Sequence, residues 1–258
     1  MIKSSFDGTK RLYFKEGYSS VIIPTANEKY AVCVSCQIGC PIGCKFCYSG
    51  KTKLKRNLTS EEIVNQVKKA AFVMGRKPYS VVFMGMGEPL MNLEEVLLSA
   101  EEIHNFFSVA YKRITISTSA QKNIDKLLNM RFNVSISLHS PFHKKRKNLI
   151  PSTLSVKKIV EFSRKYCRLN KKRELMIEYA LIKGVNDSEK DLKKLLSFNW
   201  PKKTNFNFIE FNNFGKYKKS EKLTEFKNAA IKAGFKSFIR YSRGADIKAA
   251  CGMLSINH

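Results

Sequence analysis

No stretch of this 258-residue sequence is long and apolar enough to span a bilayer, and its start, MIKSSFDGTKRLYF, has no apolar run resembling a signal peptide. Seven cysteines are too few for a disulfide-built secreted scaffold. Five of them crowd between positions 33 and 47, a density that suits metal better than stapling. A reducing cytoplasm is the expected setting, with thiols available as ligands or nucleophiles. No repeat, low-complexity tract or Pro/Gly/Ser-rich linker divides the chain, so one large α/β domain, or at most two small ones, is expected. Acid is scarce as well: 21 Asp and Glu stand against 47 Lys and Arg, a net charge of +26. Such a field attracts polyanions, nucleic acid first. A genome biased toward Lys, Asn and Ile is the blander source of that excess, but the charge is clustered. Between His143 and Arg173, twelve Lys and Arg accompany one acid, Glu161.

What is present reads as alternating strands and helices. Thr59 and Glu62 have capping-box spacing before a helix whose apolar face is Ile63, Val64, Val67, Ala71 and Met74, followed by the strand SVVFMG (80–85). Asn92 and Glu95 repeat the device before Val96, Leu97, Ala100, Ile103 and Phe107. Strands RITIS (113–117), NVSISL (133–138), ELMIEYALI (174–182), NFNFIEF (205–211) and FKSFIR (235–240) follow, mostly with helical segments between them. This alternation predicts α/β architecture around a parallel sheet. In RITISTS and NVSISLH, apolar residues alternate with Thr115, Ser117, Ser135, Ser137 and His139. A doubly wound sheet is apolar on both faces, so one polar face favours a curled, partial barrel with polar residues lining a cavity near the strand ends. A half-exposed strand face would give the same alternation.

Cys40, Cys44 and Cys47 are spaced C-x3-C-x2-C, with Phe46 and Tyr48 around the last. Structural zinc takes four ligands, commonly as two separated pairs. Three thiolates on one short loop suit three irons of a four-iron, four-sulfur cluster and leave the fourth iron open. Cys33 and Cys36 are near enough in sequence to complete a zinc site instead, which would make a zinc-stabilised RNA-binding protein without catalysis.

This motif resembles that of the radical S-adenosylmethionine superfamily. Within it, CVSCQIGC, KRNLTSEEIVNQV, VVFMGMGEPLMNL, ITISTSA, SISLHSP, EYALIKGVNDS, FNFIEFNNF and RGADIKAACGML are similar to the RlmN/Cfr class of RNA adenosine methyltransferases, from about Val21 to Leu254. The resemblance implies a partial (βα)6 TIM-like barrel over 21–258, with residues 1–20 a short N-terminal extension in place of the family's N-terminal RNA-binding domain. It implies a [4Fe-4S] cluster on Cys40, Cys44 and Cys47. It also implies S-adenosyl-L-methionine held by Gly87, Glu88, Ser117, Ser137, Leu138, His139 and Asn212. Cys251 resembles the cysteine these enzymes methylate on themselves, and Cys33 the thiol that resolves the adduct through a disulfide. Carbon 2 of adenine in ribosomal RNA, or else in transfer RNA, is the implied target. Carbon 8, or another substrate of a diverged radical enzyme, is the alternative. The implied partners are RNA and an electron donor such as flavodoxin or ferredoxin, with no membrane.

Three departures from the family pattern stand out. Ser20 occupies the position, thirteen before Cys33, where the family has a glutamate that accepts the adenine proton. A serine cannot do a carboxylate's work as a base near neutral pH; Glu28 is the nearby acid in sequence. The N-terminal domain is the second departure. Third, Cys36 replaces a serine, and Glu210 and Asn213 replace prolines around Asn212, changes expected to adjust packing. Cys167 matches nothing and reads as structural.

Overall fold

A computed structural model describes residues 1–255. They form two compact units, one of residues 1–43, 47–117 and 243–255, the other of residues 44–46 and 118–242. Among the described residues, no helix is long and apolar enough to cross a membrane.

The first unit opens with four antiparallel strands, β1 (Ile2–Ser4), β2 (Lys10–Tyr13), β3 (Ser19–Pro24) and β4 (Tyr30–Cys33). Residues 2–13 thus add two strands to the sheet. A short antiparallel pair follows, β5 (Gln37–Ile38) and β6 (Arg56–Asn57). Helix α1 (Ser60–Met74) then leads to β7 (Ser80–Phe83), which runs parallel to β4. Helix α2 (Leu93–Phe107) leads to β8 (Ile114–Thr118), parallel to β7.

Helix α1 starts as its sequence predicts. The Thr59 hydroxyl accepts from the Glu62 amide, and the Glu62 carboxylate accepts from the Thr59 amide. Its buried face is Ile63, Val64, Gln66, Val67 and Ala70, with Ala71 and Met74 only half-buried. Gln66 turns the face because it both accepts from Ser35 N (2.9 Å) and donates to Ser35 O (2.8 Å).

The second capping box does not form. Asn92 makes no side-chain cap to α2; its amide instead donates to Cys36 O and Leu58 O, each at 2.8 Å. Glu95 reaches the other helix, accepting from Ser60 N at 2.6 Å. Two buried carbonyls and the orphan N–H groups at the start of α1 outbid the local motif.

The second unit contains four parallel strands, β9 (Asn133–Ser137), β10 (Leu175–Leu181), β11 (Thr204–Glu210) and β12 (Lys236–Arg240). Its helices are α3 (His143–Leu149), α4 (Val156–Leu169), α5 (Glu189–Leu196) and α6 (Leu223–Lys232). Ser155 caps α4, which buries Ile159, Phe162, Tyr166 and Cys167, so Cys167 is structural as expected. The α/β class with parallel strands is the one the sequence predicts, with boundaries within a residue or two.

The polar face of these strands is drier than the sequence suggested. Ser137, Glu178 and Asn207 share one row across β9, β10 and β11. The buried Glu178 carboxylate accepts from Ser135 Oγ and Asn207 Nδ2, both at 2.9 Å, and pairs with Arg240 at 3.5 Å. Ser135 therefore serves an internal network, not a water-filled cavity, while Ser137 is half-buried at the strand end.

Replacing Asn92 by alanine removes the side-chain amide that donates to both Cys36 O and Leu58 O. Asn92→Ala is expected to lower unfolding free energy by about 1–3 kcal/mol in denaturant titration. Thr59→Ala, which loses a solvent-side cap, is expected to cost about 1 kcal/mol.

Candidate active site

In each unit, residues singled out by the sequence lie at or just beyond the carboxyl ends of parallel strands, where α/β folds place their sites. In the first unit, Cys33 ends β4, in register with Val21 of β3 and Val82 of β7. Residues 84–88 follow β7 directly, and Ser117 is the penultimate residue of β8. In the second unit, Ser137 ends β9, Leu138 and His139 follow it, and Asn212 lies two residues beyond β11.

The GMGEP turn is built by close backbone approach. A Cβ at Gly85 would lie 2.6 Å from Ser35 Oγ and 2.7 Å from Val34 O. Gly87 has φ +107°, and a Cβ there would meet Gln37 Cβ at 2.7 Å and Cys36 Sγ at 2.8 Å. Gln37 Oε1 accepts from Glu88 N (2.9 Å), and Glu88 Oε1 accepts from Leu90 N (3.1 Å). Glu88 is buried, so its carboxylate is fixed before any ligand arrives.

Cys40 and Cys47 belong to the first unit and Cys44 to the second. Burial pushes the Cys40 thiol up to about 12, helped by Cys47 and Glu88 nearby and opposed by the Ile42 amide. Burial also raises Cys47, against hydrogen bonds from Gly50 and Ser49 and with Cys251 as a further raising neighbour. Cys36 is raised well above its usual value by burial, then by Glu88 and Cys40. Among the described residues, no three His, Cys, Asp or Glu converge as around a single metal ion. Cluster ligands each take a different iron, so a set of soft thiols spread along one loop fits a [4Fe-4S] group.

Cys251 is exposed, on a segment that runs beside the cysteine loop. Tyr48 N donates to Gly252 O at 2.8 Å, joining the residue after Cys47 to the residue after Cys251. Ser49 Oγ and Ser255 Oγ lie 2.6 Å apart, and Ser255 Oγ donates to Met86 Sδ at 3.1 Å. No disulfide joins any of the seven cysteines, Cys33 and Cys251 included.

In the second unit, a buried cation organises the loop after β9. Arg146 donates to Leu138 O (2.9 Å), Ser137 O (2.9 Å), Ser119 O (2.8 Å), Leu154 O (3.1 Å) and the Thr153 hydroxyl. His139 sits in left-handed conformation (φ 54°), with its carbonyl accepting from Asn186 Nδ2 at 2.7 Å. Its Nδ1 accepts from Ala180 N at 3.0 Å, which leaves the ring proton on Nε2. Phe46 meets the ring edge-on at 4.9 Å. Burial, with the Arg146 charge second, lowers the His139 pKa to about 3. His139 is therefore a neutral Nε2–H donor.

Sequence reasoning counted Arg146 among cations for nucleic acid; the structure removes it from that surface. Lys145 is also engaged, with Asp191 at 2.9 Å. Sequence reasoning missed Asn186 and Gln37 as loop ties, and missed Glu178, whose signal was a lone acid inside the apolar run LMIEYAL. Around Asn212, whose side chain is joined by Ser242 Oγ, the two replaced prolines became polar ties. Glu210 accepts from Ser242 N (3.0 Å), and Asn213 Oδ1 accepts from Lys219 N (2.9 Å). Ser20 is fully buried and its hydroxyl has no hydrogen-bond partner among the described residues. Glu28 lies in the turn between β3 and β4, at the far end of that hairpin from Cys33, highly exposed and 3.6 Å from Arg76.

Comparison with known proteins fits this geometry. Residues 34–196 match the model of the Radical SAM superfamily. A probable dual-specificity RNA methyltransferase RlmN from Prochlorococcus marinus (strain MIT 9515) is 36% identical over 97% of this chain and 77% of its own length. A protein of the same description from Clostridium novyi (strain NT) is 36% identical over 99% of this chain and 78% of its own. The crystal structure of a radical SAM methyltransferase from Sphaerobacter thermophilus superimposes with a TM-score of 0.85 at 30% identity, over 98% of this chain and 79% of that one. The chain belongs to the RlmN family of the radical SAM superfamily. It is a radical SAM RNA methyltransferase, and its cofactors are a [4Fe-4S] cluster and S-adenosylmethionine. RlmN relatives extend beyond the length matched here.

A neutral buried histidine has a pH signature. Unfolded imidazole takes a proton near 6.5, whereas folded His139 does so only at about 3. Its stabilising contribution is complete above pH 6.5 and drains as pH falls toward 3, by up to about 1.4 kcal/mol per pH unit. Denaturant melts between about pH 7 and 5 are expected to show this extra slope in the wild type and not in His139→Gln.

Proposed function

We propose that this enzyme methylates carbon 2 of an adenosine in ribosomal RNA, and also accepts transfer RNA, through a methyl group carried on Cys251. The observation that supports this most is the 2.8 Å hydrogen bond from Tyr48 N to Gly252 O, which draws the Cys251 segment against the cysteine loop. The phrase "dual-specificity" in the relatives' descriptions supports two RNA classes. Cys40, Cys44 and Cys47 would hold the cluster.

When bound, cluster and S-adenosylmethionine supply an electron, a methyl group and a hydrogen-abstracting radical. The protein's own residues do the rest. The Gly87 backbone, Glu88, Ser117, Ser137, Leu138, His139 and Asn212 orient the cofactor, with His139 offering an Nε2–H and Glu88 accepting from an amino group. Carbon 2 of adenine is electrophilic and has no lone pair, so the methyl carbon must reach it by way of a protein sulfur. Cys251 loses its thiol proton and accepts that carbon at Sγ. Once the carbon has bonded to carbon 2 of adenine, the hydrogen of that carbon leaves as a proton and the unpaired electron passes to the one-electron carrier; the Cys33 thiolate then attacks the Cys251 sulfur. A sulfur–sulfur bond forms, the sulfur–carbon bond breaks, and its electron pair stays on the carbon, which takes a proton to become the new methyl. A two-electron reductant then restores both thiols, a requirement met in the cytoplasm. A flavodoxin or ferredoxin supplies the single electrons. Lys144, Lys147, Lys157, Lys158, Arg164 and Lys165, all exposed, attract the RNA backbone.

The test is anaerobic reconstitution with reductant, S-adenosylmethionine and unmodified ribosomal or transfer RNA, followed by nucleoside mass spectrometry. 2-Methyladenosine is expected. 8-Methyladenosine would overturn the position, and deoxyadenosine without methylated RNA would overturn the substrate. Cys251→Ala is expected to cleave cofactor yet leave RNA unmethylated. Cys33→Ala is expected to accumulate a covalent protein–RNA adduct on a denaturing gel.

A further inference from the structure

The segment that carries Cys251 has no helix or strand of its own through residue 255. Something else must hold it, and the amino-terminal strands do. Asp7 Oδ2 accepts from Gly244 N (2.9 Å), Ser5 Oγ donates to Asp246 Oδ1 (2.6 Å), and Pro24 O accepts from Arg243 (3.0 Å). Asp7 is held low, at about 2: partial burial works against its charge, but hydrogen bonds from Thr9, Gly244 and Ser5 outweigh it.

The strongest tie is Arg11 on β2, which is 2% exposed. Its Nε donates to Ser19 Oγ (3.2 Å), one terminal nitrogen to Lys248 O (2.8 Å) and the other to Leu254 O. The Tyr13 ring lies 4.4 Å from the guanidinium carbon. Lys248 stands three residues before Cys251 and Leu254 three after. One planar fork therefore pins both ends of a seven-residue loop. Ala249, Ala250 and Leu254 are buried, while Cys251 at the apex is exposed. Lys248 is held in a left-handed conformation (φ 56°), which a non-glycine residue adopts only when its surroundings impose it. Lysine could not replace this fork, because its ammonium is a point donor and cannot face two carbonyls and a hydroxyl in one plane.

We propose that Arg11 is the positioning residue for Cys251, fixing the chord of the 248–254 loop and so the place where the Cys251 sulfur receives and passes on the methyl group. This rests on the reading of Cys251 as the methyl carrier. The amino-terminal strands, beyond the motifs that carry the reaction, are then part of the catalytic apparatus.

Two measurements on wild type, Arg11→Gln and Arg11→Lys test it. The first is amide hydrogen exchange on the purified protein without cofactors. Peptides within 244–255 are expected to exchange roughly tenfold faster or more in Arg11→Gln, and to an intermediate degree in Arg11→Lys, with α1 peptides unchanged. Equal exchange in that segment, or an equal rise in α1, overturns the clamp. The second, on reconstituted enzyme, is intact-mass measurement of methyl on Cys251 per deoxyadenosine formed. That ratio is expected to fall roughly tenfold or more in Arg11→Gln, since a small misplacement of a reacting group costs that much or more. A parallel fall of both products overturns the positioning role. A wild type that never carries methyl on Cys251 overturns the methyl-carrier reading itself, and the exchange result then still decides whether Arg11 pins the loop. If Arg11→Gln fails to fold, Arg11→Lys decides both measurements.

Discussion

A guanidinium buried without a carboxylate has one way to remain charged: every donor must find an oxygen, and backbone carbonyls are the oxygens at hand. Arg146 meets this demand with four carbonyls and a hydroxyl. These bonds offset the cost of taking the ion out of water, and they also impose a geometric constraint. The carbonyls of Ser137 and Leu138 must converge on one plane, and that convergence turns the chain into the left-handed conformation of His139. The same charge adds to burial in keeping His139 neutral, while the Ala180 amide sets which nitrogen holds the proton.

The first unit reaches a similar end with neutral groups. Gln66 closes a two-way pair on Ser35, Gln37 takes the amide of Glu88, and Asn92 bridges the carbonyls of Cys36 and Leu58. Backbone groups just beyond a parallel strand have lost their ladder partners, and burial leaves them only side chains to bond. Primary amides carry both a donor and an acceptor, which suits them to such places. The glycines of the 84–88 turn complete the device by letting it pack directly on Ser35, Cys36 and Gln37. Rigidity at the site thus precedes any ligand.

What could be read from the sequence was whatever is encoded at short range. The Thr59–Glu62 box and the placing of the strands both relate residues a few positions apart, and the structure follows both. The Asn92–Glu95 box has equal spacing and fails, because Asn92 and Glu95 have partners 34 or more residues away. Local preference is a weak prior against two buried carbonyls. Glu178 shows the opposite case. A single acid in LMIEYAL looked like noise in a strand, yet it gathers Ser135, Asn207 and Arg240 from three other strands. Its partners are set by register, which no single strand contains.

Charge illustrates the same limit more sharply. In HKKRKNL, four adjacent cations have one composition and at least two physical roles: Arg146 is wholly buried, Lys145 is tied to the buried Asp191, and Lys144 and Lys147 face solvent. Counterion release rewards only charges that can touch phosphate, so a net charge overstates the binding surface by whatever the fold consumes internally. Arg11 is consumed in the same way. Both arginines lie where a loop bearing site residues needs its carbonyls gathered, and both use the planar fork for which lysine has no equivalent. In so basic a chain lysine is abundant and arginine is selective, so the buried arginines mark places where geometry, not charge, was required.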